Sequence, residues 1–430
     1  MNGPPRVELL CVGSELLSGK VNTHAAAVAG RLAEVGLALS REVTVGDDPA
    51  EMEKVFRESW RRAQVVLCTG GLGPTFDDLT RDVWAKVTHR PLRFQKPLMD
   101  DIRNKFRRRR WPMPKENRRQ TYVLAGAAVM QNPYGTAPGQ VLVAGGKVLA
   151  LFPGPAREFF PMMEGKFLPF LRTRLPPRTR KTKIYRLFNF SESAVDERLD
   201  GLRRRSRAPG KIEVTWGILA QRFIIDVKVT VAGPAPAAVE SALARIHSAV
   251  LAEFGGDVYG FGEETLQECV GRDLRRRKET VSTAESCTGG LVAEKLTRVP
   301  GSSDYFMQGS VTYSNRSKRR LLGVRQETLR RHGAVSAECA REMAAGCRRR
   351  AGTDWALALT GVAGPSGGTP QKPVGLVYIA LAGKRGVSVT EHRFSGTRED
   401  IRERSALTAL DRLRRALQKK RSGGRSGTSG

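Results

Sequence analysis

Hydrophobic and polar positions follow two alternating patterns in the first and last thirds of the chain. Short apolar runs typical of buried strands are each followed by a segment whose apolar residues recur at helical spacing. The predicted strands are 7–12, 65–68, 141–144, 148–152, 280–283, 355–360, 374–381 and 386–394. The predicted helices are 23–35, 79–87, 266–275, 289–296 and 400–417. Strands alternating with helices predict mostly parallel sheets with both faces covered, hence two three-layer α/β domains.

The middle of the chain has a different pattern, which predicts a small α+β domain. Its predicted strands are 184–188, 212–216 and 223–231, and its predicted helices are 193–202 and 237–251. Residues 172–183, a basic stretch containing two consecutive prolines, precede it and are typical of a linker. The predicted domains therefore span residues 1–174, 183–260 and 261–417. The remaining residues, 418–430, combine Lys and Arg with Gly and Ser and are predicted to be a disordered basic tail.

Composition limits the class of protein. The chain has 430 residues, 40% of them hydrophobic, which suffices for several packed cores. No apolar run approaches the roughly 20 residues of a membrane span, and the N-terminus lacks the basic start of a secretory signal. The six cysteines include no Cys-x-x-Cys pair, so neither a zinc finger nor a disulfide scaffold is indicated. We expect a cytoplasmic protein without a membrane partner.

The net charge is unusual. Lys and Arg total 73 against 43 acidic residues, which gives +30 and a pI near 10.6. Such a field attracts nucleotides and allows a nucleic-acid partner. The basic clusters are spread along the chain, however, and no recognisable nucleic-acid-binding motif surrounds them. A solvated, arginine-rich surface is the simpler interpretation.

A glycine-rich loop at residues 69–80 is the first candidate site. Glycines let the backbone approach a ligand, and exposed amides beside a helix N-terminus attract phosphate. Two consecutive aspartates follow, and their oxygens suit a hard divalent cation. The candidate ligand-binding residues are Gly70, Gly71 and Gly73 in this loop and Asp48 on a neighbouring loop. The candidate metal ligands are Asp77 and Asp78. The alternative is a tight strand–helix turn in which an aspartate only caps the helix.

Residues 283–290 form the second candidate site. Ser286 lies between a predicted strand and a predicted helix, where a hydroxyl is exposed and backbone amides are near. A serine needs a base to become nucleophilic. His332 and Lys318 are the candidates in this domain, and a lysine qualifies only if its pKa is lowered. Cys287 is an alternative nucleophile.

Taken together, these motifs resemble the competence/damage-inducible CinA family over nearly the full length. In the N-terminal part the resemblance rests on residues 12–19, 21–23, 44–48, 69–80, 132–139 and 153–155. In the C-terminal part it rests on residues 283–290, 301–303, 311–315, 332–336, 361–368, 372–375 and 394–396. The first part is similar to molybdopterin-binding-like domains, and the last part is similar to nicotinamide-nucleotide amidases.

The C-terminal resemblance implies hydrolysis of the carboxamide of nicotinamide mononucleotide to nicotinate mononucleotide and ammonia, without a cofactor. It assigns Ser286 as the nucleophile and Lys318 as its base, assisted by Tyr313. Gly289 and Gly290 become candidate donors to an oxyanion or a phosphate. The remaining candidate substrate-binding residues are Thr360, Gly361, Gly364 and Arg398. Arg398 is our hypothesis for the phosphate partner, because guanidinium binds phosphate bidentately.

The N-terminal resemblance implies a metal-dependent ADP-ribose pyrophosphatase, using Mg²⁺, Mn²⁺ or Co²⁺ at Asp77 and Asp78. Both activities belong to pyridine-nucleotide salvage, and the family together with the doubly wound domains suggests a homodimer. A pyrophosphatase also needs a positioned water and a base, and the sequence indicates no base. Loss of catalysis with retention of binding is the alternative.

One stretch departs from the family pattern. Residues 188–193 are Phe-Asn-Phe-Ser-Glu-Ser, where the family usually has Phe-Gly-x-Gly-Glu-Ser. A side chain therefore occupies space that glycine would leave open. Two other functions stay open at this point: a basic nucleic-acid-associated protein with vestigial domains, and a pterin- or nucleotide-binding protein.

Overall fold

The computed structural model describes residues 5–175, 178–206 and 211–419. The chain divides into two compact units. One contains the N-terminal domain, and the other contains the C-terminal domain with most of the middle domain. Within the described ranges, no helix combines the length and the apolar character needed to cross a membrane.

The N-terminal domain is built on a six-stranded sheet and a small two-stranded one. Its strands are β1 (Val7–Val12), β2 (Leu39–Val45), β3 (Val65–Thr69), β4 (Leu92–Phe94), β5 (Tyr122–Leu124), β6 (Ala128–Met130), β7 (Gly139–Ala144) and β8 (Lys147–Phe152). Its helices are α1 (Ser14–Leu17), α2 (His24–Glu34), α3 (Pro49–Arg62), α4 (Thr80–Thr88), α5 (Lys96–Arg108), α6 (Ala156–Met162) and α7 (Leu168–Arg174). A 3-10 helix (Lys115–Thr121) and a π-helical turn (Met163–Phe167) complete it.

The large sheet has the order β2-β1-β3-β8-β7-β6. The pairs among β2, β1, β3 and β8 are parallel, and β7 and β6 add antiparallel pairs. Alternate residues of β1, β3 and β8 point to opposite faces. One face packs on α2, α6 and α7, and the other packs on α3 and α4. The three predicted layers are therefore present.

Within residues 178–206 and 211–254, the middle domain has three strands and two helices. They are β9 (Thr179–Phe188), α8 (Glu192–Arg205), β10 (Glu213–Gln221), β11 (Ile224–Gly233) and α9 (Pro236–Phe254). The four-stranded sheet has the order β10-β11-β9-β12, in which β12 (Val258–Phe261) pairs antiparallel with β9. The predicted α+β character is confirmed.

The C-terminal domain is a five-stranded mixed sheet between helices. After β12, its strands are β13 (Val281–Glu285), β14 (Phe306–Val311), β15 (Trp355–Gly361), β16 (Leu376–Gly383) and β17 (Gly386–Arg393). Its helices are α10 (Leu266–Arg277), α11 (Leu291–Thr297), α12 (Asn315–Leu322), α13 (Gln326–His332), α14 (Ala337–Ala351) and α15 (Arg398–Lys419). Two 3-10 turns lie at Gly255–Asp257 and Ser302–Asp304.

The sheet order in this domain is β14-β13-β15-β16-β17. The first three strands are parallel, and the last two continue it antiparallel. One face of larger apolar residues packs on α10, α11 and α15. The opposite face is nearly all alanine and lets α12 and α14 approach closely. The predicted fold class is confirmed, and the carboxyl ends of the three parallel strands define one edge where ligands usually bind in such sheets.

Two boundaries differ from expectation. The predicted linker is shorter, because α7 continues to Arg174 and β9 already begins at Thr179. The predicted tail is also shorter, because α15 includes residues 418 and 419. The rest of the predicted tail, residues 420–430, lies outside the described residues.

Candidate active site

Ser286 directly follows β13, at the edge formed by the carboxyl ends of the parallel strands. Its amide donates to the carbonyl of Leu359 on β15 at 3.0 Å. The carboxylate of Glu285, which is 1% exposed, holds the turn that comes next. It accepts hydrogen bonds of 2.9 to 3.1 Å from the amides of Gly290, Val292 and Ala293. The nucleophile candidate is therefore fixed between a strand end and a capped helix start.

Lys318 lies against this serine, 32 residues further along the chain. Its Nζ is 2.9 Å from Ser286 Oγ, and the lysine residue is 1% exposed. Helix α12 carries the lysine, and Ser314 caps that helix by accepting from the amide of Ser317. Because β14 is paired with β13, the start of α12 is brought to the same edge as Ser286.

Two backbone carbonyls also contact the lysine amine, and it is burial that favours the neutral form. Nζ also contacts the backbone carbonyls of Thr312 at 2.7 Å and Tyr313 at 3.2 Å. Carbonyls only accept, so the two N–H bonds of a neutral amine satisfy them and leave the lone pair facing Ser286. Burial lowers the pKa of Lys318 below its usual value, because charge is disfavoured away from water. The arrangement suits removal of the serine proton.

The two alternatives considered for these roles are less suited. The imidazole of His332 lies 3.7 Å from the carboxylate of Glu338, and half of its surface is exposed. Burial raises the pKa of the Cys287 thiol to about 12, so the reactive thiolate is disfavoured. Ser286 with Lys318 is the better-supported pair.

Tyr313 and Arg398 meet beside this pair. The side chain of Tyr313 is exposed, and its hydroxyl accepts from Arg398 Nη2 at 3.4 Å. Arg398 Nη1 also donates to the carbonyl of Gly364 at 2.6 Å. The contact of Tyr313 with Lys318 is made by its backbone carbonyl, so its side chain is placed toward Arg398.

Arg402 is a site residue that the sequence analysis missed. Its Nε and Nη2 donate to the carbonyl of Thr288, two residues after the serine, at 3.3 and 2.8 Å. It lies one helical turn after Arg398 on α15. In the described part of the chain neither guanidinium is within ion-pair distance of a carboxylate. The spacing of four residues between two arginines at a helix start was the signal available in the sequence.

The assignment of Gly289 and Gly290 as donors to an oxyanion or a phosphate stays a prediction, and in this structure both amides have partners. The amide of Gly289 donates to the Ser286 carbonyl at 3.1 Å, and the amide of Gly290 donates to Glu285. Both amides already have partners within the turn, because the turn closes on itself. The two glycines serve the backbone, with φ of +61° and +97°.

The predicted pocket residues Thr360, Gly361 and Gly364 lie at the end of β15 and just after it, where they have roles in the local structure, and their contact with substrate stays a prediction. The hydroxyl of Thr360 donates to the carbonyl of Ala334 at 2.7 Å and so ties a neighbouring loop to the strand. A Cβ at Gly361 would be 2.6 Å from the carbonyl oxygen of Leu376, so this position requires glycine. Gly364 contributes its carbonyl, which accepts from the guanidinium described above.

The glycine loop of the N-terminal domain borders a cavity of about 430 Å³. The predicted Gly70, Gly71 and Gly73 are among its lining residues. A Cβ at Gly70 would be 2.1 Å from the Val12 carbonyl oxygen. Arginine, aspartate and glutamate side chains also line it, at Arg109, Arg157, Glu15, Asp47, Asp77, Asp78 and Glu158.

The aspartates around this cavity are largely engaged with the backbone. Asp78 accepts from the amides of Gly73 at 2.7 Å and Thr75 at 2.8 Å. Asp77 accepts from the hydroxyl of Thr75. Asp48 caps α3 by accepting from two amides, while Asp47 lines the cavity, and the ligand-binding role of Asp48 stays a prediction.

A metal site is not preformed here. Across the described ranges, no group of three or more His, Cys, Asp or Glu side chains is arranged as metal ligands. The oxygens of Asp78 already bind the loop, so this residue does not fit the role of a free metal ligand. The Mg²⁺, Mn²⁺ or Co²⁺ site at Asp77 and Asp78 stays a prediction.

Comparison with known protein families divides the chain into three matched regions. Residues 8–173 match a probable molybdopterin binding domain. Residues 182–260 match the damage-inducible protein CinA KH domain. Residues 263–417 match the CinA C-terminal domain.

Individual relatives are similar over nearly the whole chain. A CinA-like protein of Endomicrobium trichonymphae is 40% identical, over 97% of this chain and 100% of that protein. A CinA-like protein of Kosmotoga olearia is 41% identical, over 96% of this chain and 99% of that one. A crystal structure of the competence/damage inducible protein CihA from Agrobacterium tumefaciens is 45% identical, covering 36% of this chain and 93% of its own, with a TM-score of 0.35. On its similarity over nearly the full length to the two CinA-like proteins, the chain belongs to the CinA family.

Proposed function

We propose that the C-terminal domain is a serine amidase that hydrolyses the carboxamide of nicotinamide mononucleotide, giving nicotinate mononucleotide and ammonia. The observation that carries the proposal is the 2.9 Å contact between Lys318 Nζ and Ser286 Oγ in a buried site. The same pair is assigned these roles by the resemblance to nicotinamide-nucleotide amidases. The activity places the protein in pyridine-nucleotide salvage.

The geometry suits a two-step acyl transfer. Neutral Lys318 takes the hydroxyl proton of Ser286 as Oγ attacks the carboxamide carbon. The resulting ammonium stabilises the negative charge that develops beside it, and its proton then leaves with the amine as ammonia. Water, deprotonated by the same lysine, then attacks the acyl-serine; as the Oγ–acyl bond breaks, Ser286 Oγ takes this proton back from Lys318, and the released acid ionises to the carboxylate product. No proton carrier besides Lys318 is needed.

The phosphate end of the substrate is assigned to Arg398 and Arg402. Both lie in the first turns of α15, where Arg398 donates to the carbonyl of Gly364 and Arg402 donates to the carbonyl of Thr288. Among the described residues, neither guanidinium forms an ion pair with a carboxylate. The start of a 22-residue helix adds a favourable field for a dianion. This arrangement supports a mononucleotide in preference to a free nicotinamide.

The decisive experiment is ammonia release from nicotinamide mononucleotide by the wild type, Ser286→Ala and Cys287→Ala, without added metal. We expect activity in the wild type and Cys287→Ala, and its loss in Ser286→Ala. Loss in Cys287→Ala alone would instead identify the thiol as the nucleophile. A folded but inactive wild type would overturn the proposal, and salt-dependent binding to duplex DNA would be measured next.

For the N-terminal domain we propose binding of a phosphate-bearing nucleotide, with ADP-ribose as the candidate. The supporting observation is a cavity that six glycines, three of them in the glycine-rich loop, and two arginines line together. Hydrolysis to AMP and ribose 5-phosphate is tested by incubating ADP-ribose with the protein and each of Mg²⁺, Mn²⁺ and Co²⁺. Product with one metal but not with chelator would support hydrolysis, whereas binding without product would leave a nucleotide-binding role.

A further inference from the structure

The first turns of α15 make hydrogen bonds on two opposite faces of the helix. On one face, Arg402 donates to the carbonyl of Thr288 and Arg398 donates to Gly364 and Tyr313, as described above. Residues two positions away on a helix lie about 200° around it. Asp400 and Arg404 therefore lie on the opposite side, and both contact the middle domain.

Residues 222–223, which form the turn between β10 and β11, contact this second face. Arg222 donates from Nε and Nη2 to Asp400 Oδ1 at 3.0 and 2.8 Å, and from Nη1 to Glu399 at 3.0 Å. Asp400 also accepts from the amide of Thr397 at 2.9 Å and from its hydroxyl at 2.7 Å. One carboxylate thus joins the cap of α15 to an arginine of the middle domain.

A second contact lies where the chain departs from the family's glycine pattern. Asn189 Oδ1 accepts from Arg404 Nε and Nη2 at 3.2 and 2.7 Å. Its φ is +63°, a conformation that asparagine tolerates better than most residues. The amide of Asn189 donates to the carbonyl of Phe223, which follows Arg222 in the β10–β11 turn. The two contacts are therefore linked to each other, and together they bind the start of α15 to the middle domain.

We propose that Arg222 is a positioning residue of the amidase. By holding Asp400 and Glu399, it sets the first turn of α15 so that Arg398 and Arg402 face the phosphate of the mononucleotide. The proposal rests on the amidase function proposed above. It assigns the middle domain a part in substrate affinity.

The exposure of the pair makes this role separable from stability. The side chains of Arg222 and Asp400 are 44% and 27% exposed, and such pairs contribute little to the free energy of unfolding. If this contact were purely structural, its removal would therefore change the free energy of unfolding and the KM very little. A positioning contact would change the affinity for the phosphate end, because coupled neighbours alter each other's interactions.

The test compares Arg222→Gln and Arg222→Lys with the wild type on nicotinamide mononucleotide and on nicotinamide riboside, which lacks the phosphate. Arg385→Gln is the matched control, since Arg385 lies in the β16–β17 turn at the far end of the C-terminal sheet. We expect Arg222→Gln to raise the KM for the mononucleotide about three- to tenfold, with kcat within about twofold and the riboside KM unchanged. Arg222→Lys should fall between, because lysine cannot engage both carboxylates in the same fork.

Binding of nicotinate mononucleotide, measured by calorimetry on the same proteins, separates this proposal from the amidase. If the wild type does not deamidate but binds this product, the amidase proposal fails, and about three- to tenfold weaker binding by Arg222→Gln still supports positioning. Equal KM values in Arg222→Gln and Arg385→Gln would overturn it. So would an equal loss on both substrates with a lower Tm, or a wild type that neither turns over nor binds the mononucleotide.

Discussion

The Ser286 site and the glycine-loop cavity occupy the same place in their domains, at the carboxyl ends of parallel strands. Their polar groups are used differently. In the C-terminal site the serine hydroxyl and the lysine amine face each other, with the remaining lysine contacts made to carbonyls. In the N-terminal cavity the carboxylate of Asp78 accepts hydrogen bonds from two amides of its own loop.

The comparison teaches that a glycine-rich turn does not by itself indicate chemistry. At Gly70 the glycine is required because the backbone passes close to Val12. At Gly290 the amide serves the buried Glu285. Reactivity depends on which polar groups are left to face one another after the backbone has been satisfied.

The largest effect is expected from removing the base of the C-terminal site, because only this site pairs a nucleophile with a base. Lys318→Met and Lys318→Arg should each lower kcat for nicotinamide mononucleotide by roughly 10³-fold, because neither side chain can take the serine proton. The assay is steady-state ammonia release, with circular dichroism to verify folding. Lys384→Met, at the far end of the same domain, is the control and should keep activity. Turnover of Lys318→Met within about tenfold of wild type would contradict the assignment.

The pH dependence sharpens the role of the same lysine. Burial lowers the pKa of Lys318, and only the neutral amine is a base, so activity should be lost as the pH falls through that lowered pKa. Below it, kcat/KM should drop about tenfold for each pH unit. The measurement is kcat/KM across neutral and alkaline pH. His332→Gln should leave this limb in place, and a limb that vanished in this variant would point to the histidine.

The two arginines of α15 test what the C-terminal site recognises. Arg398→Gln and Arg402→Gln should each raise the KM for nicotinamide mononucleotide roughly 10- to 100-fold, because a charge-assisted contact to phosphate is lost. The KM for nicotinamide riboside should change much less. Equal increases for both substrates would contradict a phosphate role and indicate a general distortion of the site.

The smallest expected effect concerns the N-terminal loop. Asp78→Asn should lower the free energy of unfolding of this domain by about 1–2 kcal/mol, because an amide has one acceptor oxygen for the amides that the carboxylate binds. The measurement is hydrogen exchange at Gly73 and Thr75, together with urea unfolding. Asp77→Asn, which is exposed and accepts only from a hydroxyl, is the matched control. Amidase activity should be unchanged in both, and a loss there would contradict independent sites.

Much of the fold could be predicted from the pattern alone. The strands at residues 65–69 and 355–361 are short apolar runs, and each lies in the sheet as expected. Helix α12 and the long α14 were not predicted. Small residues, mostly alanine and cysteine, cover the buried side of α14 around one large apolar residue, Met343, and such a helix gives a weak periodic signal. Arg402 was missed for a related reason, since arginine is abundant throughout this chain.

The sequence by itself determined the local features of this protein: where strands and helices occur, where glycine is placed, and which polar residue follows a strand end. These depend on groups close together along the chain. The tertiary structure decided that Lys318 meets Ser286, that Arg402 reaches a carbonyl 114 residues away, and that the amides of Gly289 and Gly290 are already bound. The reason is physical: burial sets the pKa of a group, and its hydrogen-bond partners come from strands that only folding brings together.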